Sequence, residues 1–398
     1  MPTLIQKSRL AERMSRLGTE SAFEVLVRAR ELEARGQEII HLEIGEPDFP
    51  TAKHIVDAGS DALQKGWTHY GPPAGLPQLR EAVAEDVGRR RGIAVDPAEV
   101  VITPGAKPIM FFLILALIEK DDEVIYPNPG FPIYESMVHF VGGHAVPYAL
   151  PEKHDFDTDV STIVAKITGR TRLIILNSPH NPTGGVMSRE QLANLAEALT
   201  LQRANEIFVL SDEIYSRLIY EGNHSSLAQF PGMKERTIIL DGFSKAYAMT
   251  GWRLGYGVMR PDLAQQITLL MTNSNSCTAS FTQIAGVEAL RGPQNGVDEM
   301  LAEFRRRRRV MVDGLNAIPG FRCRLPHGAF YVYPNITGTG RNSRDLAEAL
   351  LTQAGVACLS GTAFGEWGDG YLRFSYANSI ENIQKALDRI SAWAKKNI

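Results

Sequence analysis

Apolar residues follow two rhythms along this chain. Up to about residue 240, short uninterrupted apolar runs alternate with longer amphipathic stretches. The runs at 100–102, 123–126, 172–176, 207–210 and 237–240 predict buried strands. Residues 52–65, 76–91, 108–118, 131–140 and 188–200 predict helices around and between them. Continuous apolar strands alternating with helices imply an α/β fold with a mostly parallel central sheet covered on both faces. Such sheets bind ligands beyond the carboxyl ends of their strands. Upstream, residues 20–36 predict a helix closed by Gly36, with Phe23, Leu26, Val27, Ala29 and Leu32 apolar, and 39–42 lead into the proline-bearing loop 45–50. After about residue 290 the rhythm changes. A helix at 297–315, short strands at 321–324, 329–333 and 371–374, and helices at 344–354 and 380–396 predict a smaller α+β unit. The expected division is a large domain of 46–291 and a small domain of 1–45 plus 292–398.

Composition narrows the function classes. The chain has 398 residues, 44% hydrophobic and 22% charged, with net charge −3. That is a soluble globular balance with no bias toward nucleic acid or an anionic membrane. The five arginines 305–309 fall within the 297–315 helix, whose apolar positions are Leu301, Phe304, Val310 and Leu315, and read as a solvated helix face. The longest apolar run, 109–118, is half of the about 20 residues a bilayer requires. Met1–Arg16 lacks the apolar centre of a secretory signal. Cys277, Cys323 and Cys358 are far apart with no CxxC spacing, which argues against a disulfide framework or zinc site and fits a reducing cytoplasm.

The polar residues with chemical potential sit at the predicted strand ends. Lys245 follows the 237–240 run, with Ser244 before it and Arg253 eight residues on. Partial burial or a nearby cation lowers a lysine pKa, which suits a Schiff-base nucleophile beside a phosphate; a solvated surface lysine is the plain alternative. Gly105-Ala106-Lys107 turns from a strand into a helix, where free N–H groups attract an anion; taken alone, an ordinary strand–helix turn without the P-loop spacing is the commoner reading. Asn181, in the proline-broken turn 177–184, and Tyr215 can hydrogen-bond a phenolic oxygen, or serve only turn formation and packing. Asp212 can pair with a protonated ring nitrogen or cap a following helix. Phe131 can stack on a flat ring or pack in the core. Arg373, in an apolar strand, needs an anionic partner, either a ligand carboxylate or an internal salt bridge, unless its strand is an edge facing solvent.

Together these segments resemble the class I/II pyridoxal-phosphate aminotransferases of fold type I, and most of all the bacterial and archaeal aspartate aminotransferase branch. The resemblance runs from Gly45-Glu-Pro-Asp-Phe49 to Leu372-Arg-Phe-Ser-Tyr376. It includes Tyr70-Gly-Pro-Pro-Ala-Gly-Leu-Pro77, Asn177-Ser-Pro-His-Asn-Pro-Thr-Gly184, Ser211-Asp-Glu-Ile-Tyr215 and the glycine-bracketed segment Ser244–Gly255. It implies that Lys245 carries pyridoxal 5'-phosphate as a Schiff base and moves the Cα proton. It further implies that Asp212 keeps the ring nitrogen protonated and that Asn181 and Tyr215 bond the phenolic oxygen. Phe131 stacks on the ring. Gly105, Ala106, Lys107, Ser244, Arg253 and a partner subunit's Tyr70 hold the phosphate, so the implied unit is a homodimer. Arg373 and the backbone at Gly45 bind the substrate α-carboxylate.

The implied reaction moves an amino group from an amino acid, aspartate favoured, to a 2-oxo acid such as 2-oxoglutarate. Lys107 stands where relatives of this branch hold a distal carboxylate. Phe131 replaces a frequent tryptophan, Pro108 follows Lys107, and the segment 273–277 is neutral. Neutral or aromatic donors therefore remain a reading of the same residues. So does a lyase, cyclase or γ-replacement enzyme that keeps every cofactor contact. A non-catalytic regulator on this scaffold is disfavoured, because the roughly 40 residues before Gly45 carry no helix-turn-helix or basic bias.

Overall fold

The computed structural model describes residues 10–201 and 207–398; most of the Met1–Arg16 segment read above lies outside them. Its centre is a seven-stranded sheet in the order Val100–Thr103, Gly255–Val258, Thr237–Gly242, Phe208–Asp212, Thr171–Asn177, Glu123–Asn128, His144–Ala149. The strands pair in parallel except Gly255–Val258, which runs antiparallel to both neighbours. The sheet is thus mixed but mostly parallel, in agreement with the pattern of apolar runs.

Side-chain alternation along the strands explains why these runs are apolar throughout. Leu173 and Ile175 join Val124, Leu210 and Leu240 beneath the helices Lys107–Leu117, Ile133–Val141 and Pro261–Ser274. Their neighbours Ile174 and Leu176 point the other way and pack with Ile125, Val209 and the helix Arg189–Leu201. A strand covered on both faces cannot spare alternate positions for polar groups. The polar residues of Thr171–Asn177 and Phe208–Asp212 therefore fall at the strand ends, and those at the carboxyl ends are Asn177 and Asp212.

The C-terminal elements form a separate core. The helices Asn295–Asn316 and Ile380–Asn397 pack Phe304, Met311, Leu315, Ile383 and Ile390 against the strands Tyr331–Val332 and Leu372–Ser375. Ile40 and Leu42 belong to this core, and the strand Ile40–His41 pairs in parallel with Val356–Ala357. Residues 40–42 thus pack with the C-terminal elements, whereas Arg16 and Gly18 bond the helix Ile133–Val141.

Several expectations need correction. The segment 321–324 forms no strand; only an isolated bridge joins Arg322 to Asn335. The 329–333 strand shortens to Tyr331–Val332, and the 344–354 helix ends at Ala349, continuing as a π-helical turn over Leu350–Ala354. The strands Gly255–Val258 and His144–Ala149 did not stand out in the pattern. Two glycines dilute the first, and the second is a sheet edge with an exposed start. In the helix Ser21–Glu33, Ala29 is buried, but Phe23 and Val27 are each 59% exposed.

The arginine run is not a solvated face. Arg305, Arg306 and Arg309 are exposed, but Arg307 and Arg308 turn inward. Arg307 pairs with Asp48 at 2.6 Å and Glu303 at 3.1 Å. Arg308 bonds Glu221 and the Pro326 carbonyl, each at 2.8 Å, with its guanidinium over the Tyr220 ring. Charges survive burial when acceptors are built in, and the flat guanidinium stacks on apolar surface. Among the described residues no helix is long and apolar enough to cross a membrane.

Candidate active site

The carboxyl ends of three adjacent parallel strands converge on one cavity of about 550 Å3. The register sets Asn177 beside Asp212 and Asp212 beside Leu240, which puts two polar strand ends in line next to the end of the strand that leads to Lys245. Lys245, Ser244, Asp212, Tyr215, Asn181, Phe131, Ala106, Lys107, Gly45, Arg253 and Arg373 all line the cavity. Of the remaining expected residues, Gly105 lies behind the lining. It turns the chain at φ +90°, accepting from Thr103 Oγ1 at 2.7 Å through its carbonyl. Tyr70 is 90% exposed and lies outside its own chain's cavity.

Each side chain is held from behind. Asn177 donates to the Asp212 carbonyl at 3.1 Å, and its Oδ1 accepts the Asn181 N–H at 2.9 Å, so one buried amide ties two strand ends together. Asp212 is buried and caps no helix; its Oδ1 accepts the Ile214 N–H at 3.3 Å and its Oδ2 accepts the Tyr134 hydroxyl at 2.5 Å. Burial pushes this carboxyl from 3.8 up to about 6, while those two hydrogen bonds pull it down. A buried carboxylate with a raised pKa calls for a cation in the cavity.

Lys245 Nζ donates to the Gly45 carbonyl at 2.5 Å. Burial lowers its pKa from 10.5 to about 8, with Glu46 opposing the shift and Arg373 assisting it. An amine that sheds its proton near neutral pH is a competent nucleophile and base. Arg373 lies in the central strand of a three-stranded sheet and is buried, which removes the edge-strand alternative. Its Nη1 donates to Asn181 Oδ1 at 3.1 Å, its Nη2 donates to the Glu43 carbonyl, and its Nε has no hydrogen-bond partner. No carboxylate pairs with it among the described residues, so the internal salt bridge is also absent. A buried guanidinium with an unfilled donor fits an incoming carboxylate.

Four contributors were not read from the sequence. Tyr331 stands under Arg373, 4.4 Å from guanidinium carbon to ring centre, and its hydroxyl bonds Tyr215 Oη at 2.7 Å. Tyr134 holds Asp212. Glu20 bonds Lys107. Arg91, fully buried, bonds Glu213 at 2.6 Å and Asp241 at 2.7 Å, next to Asp212 and just before the Lys245 loop. The lone polar residue in an apolar strand was a usable signal for Arg373; these four lie on helices, in a two-residue strand or before a helix, where no such contrast exists.

Tyr331 also makes Gly45 indispensable. A Cβ on Gly45 would lie 2.1 Å from Tyr331 Oη and 3.1 Å from Cζ. Overpacking of this kind costs about 1–3 kcal/mol of stability, and because it displaces the tyrosine under Arg373, Gly45→Ala is also expected to lower kcat/KM by roughly tenfold or more. Steady-state assays on Gly45→Ala and on Gly45→Ala/Tyr331→Phe check this. Removing the hydroxyl in the double variant should restore part of the loss.

This convergence of lysine, carboxylate and arginine at strand ends matches known proteins along nearly the whole chain. The family model for aminotransferase class I and II covers residues 37–390, and the chain belongs to that family. It is 40% identical over 384 residues to an aspartate aminotransferase of Pyrococcus horikoshii, covering 96% of each chain. It is 37% identical over 362 residues to aromatic-amino-acid aminotransferase 2 of Thermococcus litoralis, covering 90% of this chain and 92% of the relative. The aspartate aminotransferase of Thermus thermophilus, solved with maleate, superposes with a TM-score of 0.92 at 36% identity, covering 97% of this chain and 99% of that one.

The enzyme is therefore an aminotransferase of fold type I, and its cofactor is pyridoxal 5'-phosphate. The cavity suits that group. It offers an amine of lowered pKa, a buried carboxylate for a ring nitrogen, and Ser244 with Arg253, which has no carboxylate partner among the described residues, for a phosphate.

Proposed function

We propose that this aminotransferase takes aspartate as its preferred amino donor and a 2-oxo acid such as 2-oxoglutarate as acceptor. The observation that carries the reading is the convergence of Lys245, Asp212 and Arg373 in one cavity that also contains Lys107. When bound, pyridoxal 5'-phosphate supplies an aldehyde for the amine and a ring that accepts the electron pair left by Cα–H cleavage. Arg373 grips the α-carboxylate in bidentate fashion, with the Gly45 backbone beside it. Lys245 Nζ takes the Cα proton. Asp212, held by Tyr134, would pair its negative charge with the ring nitrogen. Asn181 and Tyr215 would bond the phenolic oxygen, Phe131 would cover the ring, and the Gly105–Lys107 turn, Ser244 and Arg253 would hold the phosphate.

Residues 46–291 act as the large, cofactor-binding domain. Residues 1–45 plus 292–398 act as the small domain that closes over substrate and excludes water. The separate C-terminal core, which includes Ile40 and Leu42, supports this division. Tyr70 serves the neighbouring subunit of a homodimer. Its 90% exposure supports that role, because the side chain packs against nothing in its own chain and is available to a partner. The buried thiols Cys323 and Cys358 are free, in keeping with a cytoplasmic setting.

Lys107 is the cation for the distal carboxylate. A screen of amino donors against 2-oxoglutarate, pyruvate and oxaloacetate tests this reading. Aspartate should lead, and Lys107→Ala should raise its KM by about tenfold while sparing neutral donors, an effect in the range of one charge-assisted hydrogen bond. Equal use of aspartate by both proteins would remove Lys107 from the role. Consumption of amino acid without pyridoxamine phosphate formation would replace transamination by another chemistry of the same cofactor.

A further inference from the structure

An ion pair stands inside the cavity, and the proposed reaction uses only its cation. Lys107 Nζ bonds Glu20 Oε1, and both residues line the cavity, their side chains 45% and 18% exposed. The same ammonium lies 5.4 Å from the Phe131 ring centre. Glu20 immediately precedes the helix Ser21–Glu33, yet its side chain makes no capping bond to that helix. Its carboxylate reaches Lys107 instead.

The segment carrying Glu20 is held at both ends. On one side, Gly18 N–H donates to Ser136 Oγ at 2.8 Å and Arg16 Nε to the His139 carbonyl at 2.9 Å, both on the helix Ile133–Val141. On the other, Val25, Ala29 and Leu32 rest on Ile39, Leu351 and Ala357, and Arg28 bonds Glu348. Glu20 therefore lines the cavity from a segment fixed to both the sheet's helices and the C-terminal elements. A carboxylate held there competes with any other carboxylate for the one ammonium it touches.

We propose that Glu20 is a specificity-determining residue that acts as an internal competitor for Lys107. A neutral or aromatic side chain leaves the Glu20–Lys107 pair closed and lies against that pair and Phe131. A side-chain carboxylate has to take Glu20's place on Lys107. This inference rests on the reading of Lys107 as the distal-carboxylate cation.

The test is a single-turnover half-reaction of the holoenzyme with aspartate and, separately, with phenylalanine, followed by the cofactor's visible absorbance. No acceptor is present to complicate the side-chain site. Glu20→Gln is expected to lower the half-saturating aspartate concentration by about three- to tenfold, as for release of one partly exposed ion pair. The phenylalanine value should stay within about twofold. In a Lys107→Ala background, Glu20→Gln should no longer change the aspartate value. If Lys107→Ala weakens aspartate but Glu20→Gln leaves it unchanged or weaker, the competitor role is overturned and the Lys107 reading stands. If Lys107→Ala does not affect aspartate, both fall. Equal gains for aspartate and phenylalanine would also overturn the competitor role, since a general loosening of the cavity would then account for them.

Discussion

Replacing Lys245 with alanine is expected to lower turnover by roughly 10⁴-fold or more, because nucleophile and base reside in one amine. The wild-type protein should be yellow, and borohydride should fix the cofactor on Lys245. The variant should lose that covalent attachment and its visible absorbance while keeping the fold, since Lys245 Nζ gives up only one hydrogen bond, to the Gly45 carbonyl. Absorbance spectra and peptide mapping of the reduced protein provide the measurement. Normal turnover with an unchanged spectrum in Lys245→Ala would end the assignment. The lowered pKa of about 8 has a reason in the fold. The amine is enclosed, and the glutamate and arginine near it largely offset one another, so desolvation prevails.

The second large effect is expected at Asp212. Asp212→Asn keeps the shape and an acceptor for the Tyr134 hydroxyl but removes the charge. Loss of one preorganised charge at the reacting centre is expected to cost about 3–4 kcal/mol, or roughly 10²–10³ in kcat. The apoprotein should respond in the opposite direction. Folding lifts this carboxyl from 3.8 to about 6. Between pH about 4 and 6 the folded chain thus holds a proton that the unfolded chain has released, and stability declines as pH rises through that window. Asp212→Asn should abolish this contribution, leaving Tm at neutral pH equal or higher. Thermal melts of the apoprotein at pH 4, 5, 6 and 7, beside kcat of the holoenzyme, check both signs. A Tm drop of the variant across that range would mean that Asp212 is structural.

How much of this was legible in the sequence depended on contrast. Asp212 stood out at the end of a buried parallel strand, Asn181 in the polar turn after another, and Arg373 as a lone charge in a buried antiparallel strand, so all three were found. The antiparallel strand Gly255–Val258 offered four residues, half of them glycine, and gave no contrast. The helix Pro261–Ser274 buries Leu263, Ala264, Ile267 and Met271 on one face, a spacing that was open to the same reading as its neighbours. Arg307 and Arg308 misled for the reverse reason. Their partners Asp48 and Glu221 are distant in sequence, and a charge run cannot announce which members meet acids across the fold. Tyr331, Tyr134 and Glu20 depend on tertiary approach in the same way. The resemblance carried the cofactor and the roles assigned to Lys245, Asp212 and Arg373, but not Glu20, because that residue belongs to no motif quoted for the family.

The buried Arg91 has a bearing on how this enzyme can be rebuilt. Its guanidinium is shared by Glu213 and Asp241, which leave two different strands, with Ser211 and Ser226 also bonding Glu213 and Ser216 bonding Asp241. The loops bearing Asp212 and Lys245 are thus fastened by one clasp that belongs to neither. A chimera that imports either loop from a relative without its matching acid, or without the arginine, strands a charge in the interior at about 3–5 kcal/mol. The practical unit of exchange between such enzymes is therefore the helix Pro77–Arg91 with both strand ends, three pieces far apart in the gene that must travel together.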